Sequence, residues 1–285
     1  MSAAAPPVRG KQGPDTDIRA RPVLVRPARP RRPGARLVFL AVTAVVVLAF
    51  WSVDIDWSQL AGFPANLLRY LGLMFLPPDL STLPSAFEAT VLSVQMAWLG
   101  TVLGIVISLP LSFLATAGVG PAWVRWPLRG LFSLLRAVPE VVIAVLILSV
   151  TGLTAFTGAL AIAVGSVGTL GKWGYEAMEG AERGPSEAVR AAGGSTAQML
   201  RWGMWPSVQP EVLAFWLYRF EINVRASAIL GLIGAGGIGK VLADNVQFRI
   251  WDAVGTLLIV VVVVTVVIDL VSGALRRKII TGAWR

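Results

Sequence analysis

Residues 176–206 read EAMEGAERGPSEAVRAAGGSTAQMLRWGMWP, a polar stretch in a chain that is otherwise rich in apolar residues. These 31 residues hold four acids and three arginines, whereas the whole chain is 55% hydrophobic with a mean hydropathy of +0.71. Charged side chains are costly in hydrocarbon, so the stretch must lie outside it. We therefore predict a cytoplasmic loop with a function of its own between membrane-spanning helices.

On both sides of this loop, largely uncharged runs approach or exceed the roughly 20 residues that a helix needs to cross about 30 Å of hydrocarbon. They predict an all-α integral membrane protein with six transmembrane helices. Residues 126–171 are long enough for two antiparallel helices that turn near Thr151-Gly152, where glycine permits a tight turn. The other four spans are predicted within residues 37–53, 89–124, 207–230 and 253–275.

The distribution of Lys and Arg favours an even number of spans, because cytoplasmic flanks carry an excess of these residues. With six spans and both termini in the cytoplasm, 20 of the 25 Lys and Arg residues fall on cytoplasmic flanks. We predict a multi-pass protein of the plasma membrane in three parts. These are a disordered basic tail at 1–36, a transmembrane domain at 37–275 with its loop at 173–206, and a second cytoplasmic tail at 276–285.

Composition argues against several other classes of protein. The net charge of +9 would suit nucleic acid, but most of the excess lies on cytoplasmic flanks, where it orients the protein and meets anionic lipid headgroups. The basic lead-in is long for a cleaved signal peptide, and no small-x-small cleavage site follows the first apolar run. The chain has no His and no Cys, so disulfides, hydrolytic triads and the usual zinc sites lose their members. The acids show no recognisable metal-binding spacing.

A glycine-rich run matches two nucleotide-binding patterns, G-x-G-x-x-G and G-x-x-x-x-G-K; it reads Gly234-Ala235-Gly236-Gly237-Ile238-Gly239-Lys240. A phosphate-binding loop needs a preceding strand and a Ser or Thr after the Lys. Here the run follows an apolar helix, and Val241 takes the hydroxyl position. We predict a flexible outer loop that lets backbones approach closely, and ATP hydrolysis on another chain.

The polar loop resembles the signature of ABC importer permeases, which is Glu-Ala-Ala, three residues, Gly, nine residues, and an apolar residue two places before Leu-Pro. The matching positions are Glu187, Ala188, Gly193 and Pro206, and the departures are Val189, Gly203 and Trp205. A wider resemblance, over roughly residues 136–239, is to the permeases of phosphonate ABC importers. It rests on Arg136-Ala137-Val138-Pro139-Glu140, Leu217-Tyr218-Arg219-Phe220-Glu221-Ile222-Asn223-Val224-Arg225-Ala226-Ser227 and Gly231-Leu232-Ile233-Gly234-Ala235-Gly236-Gly237-Ile238-Gly239.

This resemblance implies the type I ABC importer permease fold and a homodimer. Two cytoplasmic ATPase subunits, which carry the ATP and Mg, would dock on the loops, and an extracytoplasmic binding protein would deliver phosphonate, phosphite or inorganic phosphate. The permease itself would bind no cofactor. Within the loop, a short helix from Glu187 to Ala192, ended by Gly193-Gly194, would act as the coupling lever, followed by a second helix from Thr196 to Trp205 that leads to Pro206. An ordinary solvated loop is the alternative.

Four polar residues in the fifth span are candidates for the transport pathway: Arg219, Glu221, Asn223 and Arg225. Residues four apart share a helix face, so Glu221 can pair with Arg225 while Arg219 lies on another face as the freer cation. A guanidinium matches a pair of phosphate oxygens, so Arg219 with Asn223 is the candidate for lining the anion pathway. The alternative is that all four join helices together.

Other intramembrane residues have structural expectations. Glu140 would pair with Arg136 or with an arginine of the fifth helix, and Asp269 with the arginines at 276 and 277. The small residues of the fourth helix would permit close packing; they are Gly165, Ser166, Gly168 and Gly171.

Two other functions remain open from the sequence. An ion-coupled secondary anion transporter would normally show inverted repeats and broken helices, but the chain is short and shows no internal repeat. A membrane-embedded enzyme would be recognised by turnover in the purified chain alone.

Overall fold

The structure, a computed structural model, describes residues 34–53 and 57–282, and all regular elements in these ranges are helical. The helices are α1 (Gly34–Ser52), α2 (Trp57–Phe75), α3 (Leu83–Ala115), α4 (Ala122–Ala137), α5 (Glu140–Thr151), α6 (Ala155–Gly180), α7 (Arg183–Ala191), α8 (Thr196–Gln198), α9 (Trp205–Leu230), α10 (Gly237–Gln247) and α11 (Trp251–Ile280). A 3₁₀ turn at Leu80–Thr82 precedes α3, and π-helical turns at Met199–Met204 and Gly231–Ala235 flank α9.

The chain divides after Ala61 into two units. The first unit contains α1, whose described side chains are all exposed. Most of the predicted tail at residues 1–36 lies outside the described residues, but its last three residues already belong to α1. The second unit begins at Gly62 and holds the rest of the described chain.

Within residues 34–53 and 57–282, three helices are long and apolar enough to cross a membrane on their own: the one at Leu80–Ala115, α6 and α11. Two bent pairs, α4 with α5 and Thr196–Ala235 with α10, raise the number to five if each pair is one span. The first predicted span is a shorter apolar helix, Leu37–Ser52. The protein is therefore an all-helical membrane protein with three to five candidate spans in its described part. No helix was predicted at the position of α2, which contains both Pro64 and Arg69.

The region predicted to hold two antiparallel helices, residues 126–171, holds parts of three. The turn at Gly152 is present, with φ of +85°, but a bend of 91° at Val138-Pro139 separates α4 from α5. Proline lacks the backbone N–H of a helix interior and disfavours helical backbone at the preceding residue, so the bend falls where the sequence requires it. The following helix, α6, runs on to Gly180, so the start of the predicted loop at 173–206 is helical.

Close packing of α3 against α6 forms the centre of the second unit, and α6 is the most buried of the three long spans. Glycines allow the two backbones to approach: a Cβ on Gly100 would lie 2.6 Å from Ile162, and one on Gly174 would lie 2.5 Å from the Ser112 hydroxyl. The expectation that small residues of this helix serve packing is confirmed for Gly165, Gly168 and Gly171. Such contacts replace the hydrophobic driving force that a lipid environment does not supply.

The glycine-rich run is a helix break rather than the flexible loop that was predicted. Residues 234, 236 and 237 have positive φ, and the axis turns by 55° between α9 and α10. A Cβ on Gly239 would lie 1.9 Å from the Ala228 carbonyl oxygen, so the predicted close backbone approach is present. The Ile238 N–H donates to Ser93 Oγ of α3 at 2.9 Å, which fixes the start of α10.

Candidate functional site

The polar stretch folds into a compact segment, residues 183–204, which we call the α7–α8 segment. Its first helix, α7, contains Glu187 and Ala188, both exposed, and ends just before Gly193, whose φ is +80°. Glycine reaches this left-handed backbone without strain, so the predicted helix stop is confirmed at this residue. Ser195 caps α8 in a capping box with Gln198, and the chain then continues through a π turn into α9, where Pro206 stands in the first turn.

Two basic side chains tie this end of the bundle together. Glu179 of α6 accepts hydrogen bonds from the Ala117 N–H at 2.8 Å and from the Arg129 guanidinium of α4. Arg129 also donates to the Ala115 carbonyl at the end of α3, at 2.8 and 2.9 Å. From α7, Arg190 reaches the Gly118 carbonyl at 3.3 Å. The turn between α3 and α4 is thereby joined to both α6 and the α7–α8 segment.

A cavity of about 530 Å³ lies between this turn and the α7–α8 segment. Acids and arginines line it together with methionines: Glu179, Glu182, Arg183, Glu187, Arg190, Met178, Met199 and Met204. Charged groups of α6 and α7 therefore face this cavity together with methionines of the bundle.

Inside the bundle, Arg219 of α9 is buried, with its side chain 6% exposed, and forms an ion pair with Glu140 at the start of α5. The expectation that Arg219 is the freer cation of its helix is therefore wrong. Charge spacing along α9 alone does not reveal this partner, because the carboxylate comes from another helix, directly after the bend at Pro139. The alternative expectation for Glu140, a pair with an arginine of the fifth helix, is confirmed.

Asn223, one turn beyond Arg219, is completely buried. Its amide nitrogen donates to Thr101 Oγ1 at 2.8 Å and to Ser166 Oγ at 3.0 Å, and the same Ser166 oxygen accepts from Arg219 Nε at 3.1 Å. The Thr101 hydroxyl donates its proton to the Ala97 carbonyl at 2.6 Å, so its oxygen must accept the hydrogen bond from Asn223. The amide orientation is thus fixed, and Asn223 Oδ1 is buried without a hydrogen-bond partner among the described residues.

On the other side of α9, Glu221 pairs with Arg225 at 3.4 Å, as predicted. It also pairs with Arg276 of α11 at 2.9 Å. The ion pairs of the described residues do not include the expected pair of Asp269 with Arg276 or Arg277. Arg276 lies 5.4 Å from the ring centre of Tyr218 as well. Glu221 therefore joins α9 to α11 through Arg276, which is the structural alternative considered for the polar residues of this span, whereas Arg225 pairs with Glu221 within α9.

Sequence reasoning missed several polar partners. Ser166 was expected only to serve helix packing, and Thr101 was not identified as a candidate. A single hydroxyl residue in an apolar helix belongs to no recognisable sequence pattern. Glu179 was included in the polar loop, and its place at the end of α6 became clear only with the helix boundaries. Over residues 34–53 and 57–282, no three acidic side chains gather as around a metal ion.

The arrangement of helices is shared with solved transporters. The chain matches a permease chain of the MetNI methionine ABC transporter, in an inward-facing conformation, with a TM-score of 0.62 and 19% identity over 71% of this chain and 98% of that chain. A second match, to an amino acid ABC transporter, has a TM-score of 0.58 and 16% identity over 79% of this chain and all of the other. At these identities the likeness defines the fold, which is that of ABC transporter permeases.

Sequence comparison adds the family. Residues 108–281 match the family described as "Binding-protein-dependent transport system inner membrane component". The putative phosphite transport system permease HtxC of Stutzerimonas stutzeri is 35% identical over 85% of this chain and 86% of its own length, and the phosphite permease PtxC of that organism is 34% identical over 83% and 86%. The phosphate-import permease PhnE of Mycolicibacterium smegmatis is 35% identical over 72% of this chain, which spans 39% of that protein.

This chain therefore belongs to the family of binding-protein-dependent transport system inner membrane components, the permeases of ABC importers. It is a multi-pass protein of the inner membrane and a transporter subunit, and the ATPase is a separate subunit.

Proposed function

We propose that this permease conducts a phosphorus oxyanion, namely phosphonate, phosphite or inorganic phosphate, delivered by an extracytoplasmic binding protein and driven by ATP. The observation that carries the proposal is the identity of 34% to the phosphite transport system permease PtxC over 83% of this chain and 86% of that one. Family membership favours ATP-driven import over the ion-coupled transport that the sequence left open.

The chemistry of the bundle interior supports an anionic cargo. Arg219 places a permanently charged guanidinium among the helices, with Asn223 and Ser166 beside it. A planar guanidinium matches two oxygens of a phosphorus oxyanion at once, whereas an ammonium offers only a point charge. We assign Arg219 and Asn223 to the pathway. Of the other two candidates of the span, Glu221 joins α9 to Arg276 of α11 beside the pathway, and Arg225 pairs with Glu221.

Energy would reach the pathway through the α7–α8 segment. Its exposed Glu187 and Ala188 form the docking surface for the ATPase, the left-handed Gly193 ends the docking helix, and Pro206 begins the helix that carries Arg219. Two copies of the permease would enclose the pathway between them, and each would receive one ATPase subunit with its ATP and Mg.

The topology follows from the same assignment. The five candidate spans together with Leu37–Ser52 would make six, which puts both termini on one side. The excess of Lys and Arg on the flanks supports the cytoplasm as that side. The α7–α8 segment, between α6 and α9, then also lies in the cytoplasm, and α10 lies on the outer side.

The experiment is uptake in a bacterial strain that has no other transporter for these anions and that expresses the permease with its ATPase and binding protein. We expect uptake of labelled phosphate, phosphite or methylphosphonate that requires all three proteins. Excess unlabelled phosphorus oxyanion should suppress it, whereas excess sulfate or methionine should not. Uptake of none of the three, or equal suppression by methionine, would overturn the proposed cargo.

A further inference from the structure

Arg219 cannot be left without a counter-charge. A buried ion loses its hydration, and an unpaired charge in a low-dielectric interior costs several kcal/mol. In this structure the compensation comes from Glu140, which lies 79 residues away in the sequence. Any oxyanion that reaches the guanidinium must either coexist with this carboxylate or replace it.

The two partners are not equally enclosed. The Arg219 side chain is 6% exposed, whereas that of Glu140 is 27% exposed. Glu140 is the first residue of α5, directly after the 91° bend, where a helix N-terminus favours a negative charge. Its carboxylate fills the space beside Gly165, where a Cβ would lie 2.9 Å from Oε1. The pair is therefore open to its surroundings on the Glu140 side.

The other groups at this point retain hydrogen-bonding capacity. A guanidinium has five N–H donors, and the bonds that Arg219 makes within the described chain go to Ser166 and Glu140. Asn223 Oδ1 is a fully buried acceptor, held in its orientation by Thr101, and no group in the described part of the chain donates to it. A protonated phosphorus oxyanion offers both what the guanidinium needs, a pair of anionic oxygens, and what Asn223 Oδ1 needs, a P–OH donor.

We propose that Glu140 is an internal counter-anion, and that the cargo passes by displacing its carboxylate from Arg219. The inference rests on the proposed function and deepens it. Carboxylate and phosphorus oxyanion present similar oxygen pairs, so the buried cation stays compensated in both states. Glu140 is thus a specificity-determining residue, because an anion that binds the guanidinium too weakly cannot displace it.

The test is equilibrium binding of labelled inorganic phosphate to the purified permease–ATPase complex without the binding protein. Glu140→Gln keeps the size and an acceptor oxygen but removes the competing charge. We expect the Glu140→Gln complex to bind phosphate at least about tenfold more tightly than wild type, equivalent to about 1.4 kcal/mol. A fully assembled Glu140→Gln complex with no gain in phosphate binding would overturn the proposal.

Two controls define where the gain arises. Glu140→Gln combined with Arg219→Gln should bind no more phosphate than wild type, because the cation is gone. Glu211→Gln removes an exposed carboxylate from α9 and changes the net charge equally, so it should not strengthen binding. Tightened binding in either control would place the phosphate away from Arg219 and contradict the proposal.

If the Glu140→Gln permease does not assemble with the ATPase, a variant in which the two charges are exchanged provides the test. Glu140→Arg with Arg219→Glu retains an ion pair but reverses its direction. We expect it to assemble with the ATPase and to lose uptake, and normal uptake would show that the pair is structural only. Failure of the proposed cargo is read separately, from wild-type uptake, so the two outcomes are distinguishable.

Discussion

Gly171 faces the ring of Phe132 where α6 meets α4, and a Cβ there would lie 2.4 to 2.7 Å from three ring carbons. Phe132 is completely buried and stacks on Tyr175, so its ring has no room to move aside. Single glycines of this kind set the distance between helices, and through it the position of Glu140 one bend further along the chain.

We therefore expect Gly171→Ala to destabilise the protein by about 1–3 kcal/mol, the usual cost of overpacking a well-packed interior. The matched control is Gly130→Ala in α4, where a Cβ would meet nothing within 4 Å. Alanine is the better helix former, so this control should be neutral or stabilising by up to about 1 kcal/mol. Thermal unfolding of the purified complex measures both, and equal midpoints for the two variants would contradict the packing argument.

The spacing of charged residues predicts an ion pair only where both partners lie on one helix. The spacing of Glu221 and Arg225 predicts their pair directly. The partner of Arg219 was one of two possibilities for Glu140, because helical periodicity does not specify which helices are neighbours. The unsatisfied Asn223 Oδ1 was beyond prediction, since it depends on which way the hydroxyl of Thr101 donates.

At the scale of elements, α4 links the two regions that the function requires. Its middle is held at Glu179 through Arg129, and the turn that leads into it contains the Gly118 carbonyl that accepts from Arg190 of α7. Its end is the bend that leads to Glu140. A movement of α7 can therefore reach the Glu140–Arg219 pair through one helix of 16 residues.

We expect Glu179→Gln to leave ATP hydrolysis intact but to lower the amount of anion taken up per ATP. The ion pair with Arg129 is partly exposed and worth up to about 1 kcal/mol, so the fall should be at most about fivefold. Reconstituted vesicles allow uptake and hydrolysis to be measured together.

The control is Glu176→Gln, which breaks an exposed ion pair with Lys172 one turn earlier on α6. It should leave the ratio of uptake to hydrolysis unchanged. A similar fall in this control, or an unchanged ratio of uptake to hydrolysis in Glu179→Gln, would contradict a role of α4 in energy transfer.

Helix existence was predictable where apolar runs are long, as for α3, α9 and α11, and the stop at Gly193 followed from its chemistry. Breaks inside runs were not predicted. The bend at Pro139, between Arg136 and Glu140, was included in the region predicted as two antiparallel helices, and α2 was missed because Pro64 and Arg69 lower its hydropathy. Hydropathy measures transfer into lipid, and it does not report where backbone geometry interrupts a helix.

At the scale of the whole molecule, the proposed function assigns different tasks to different subunits. In that proposal this chain supplies a charged pathway and a docking helix, and a partner supplies the energy of ATP. The glycine-rich run matches a nucleotide-binding pattern, but around Gly239 its backbone packs directly against the backbone of α9. This packing agrees with ATP hydrolysis on another subunit.

The most direct measurement of this division is cross-linking from the docking helix. The chain has no cysteine, so Ala188→Cys introduces a single thiol at an exposed position of α7. Phe248→Cys, exposed at the end of α10, is the matched control. In the transport-competent complex, a thiol–amine cross-linker should join the ATPase to the Ala188→Cys variant and not to the Phe248→Cys variant. A transporting complex in which the thiol at 188 joins no ATPase, or reacts with an impermeant reagent from outside, would contradict the account.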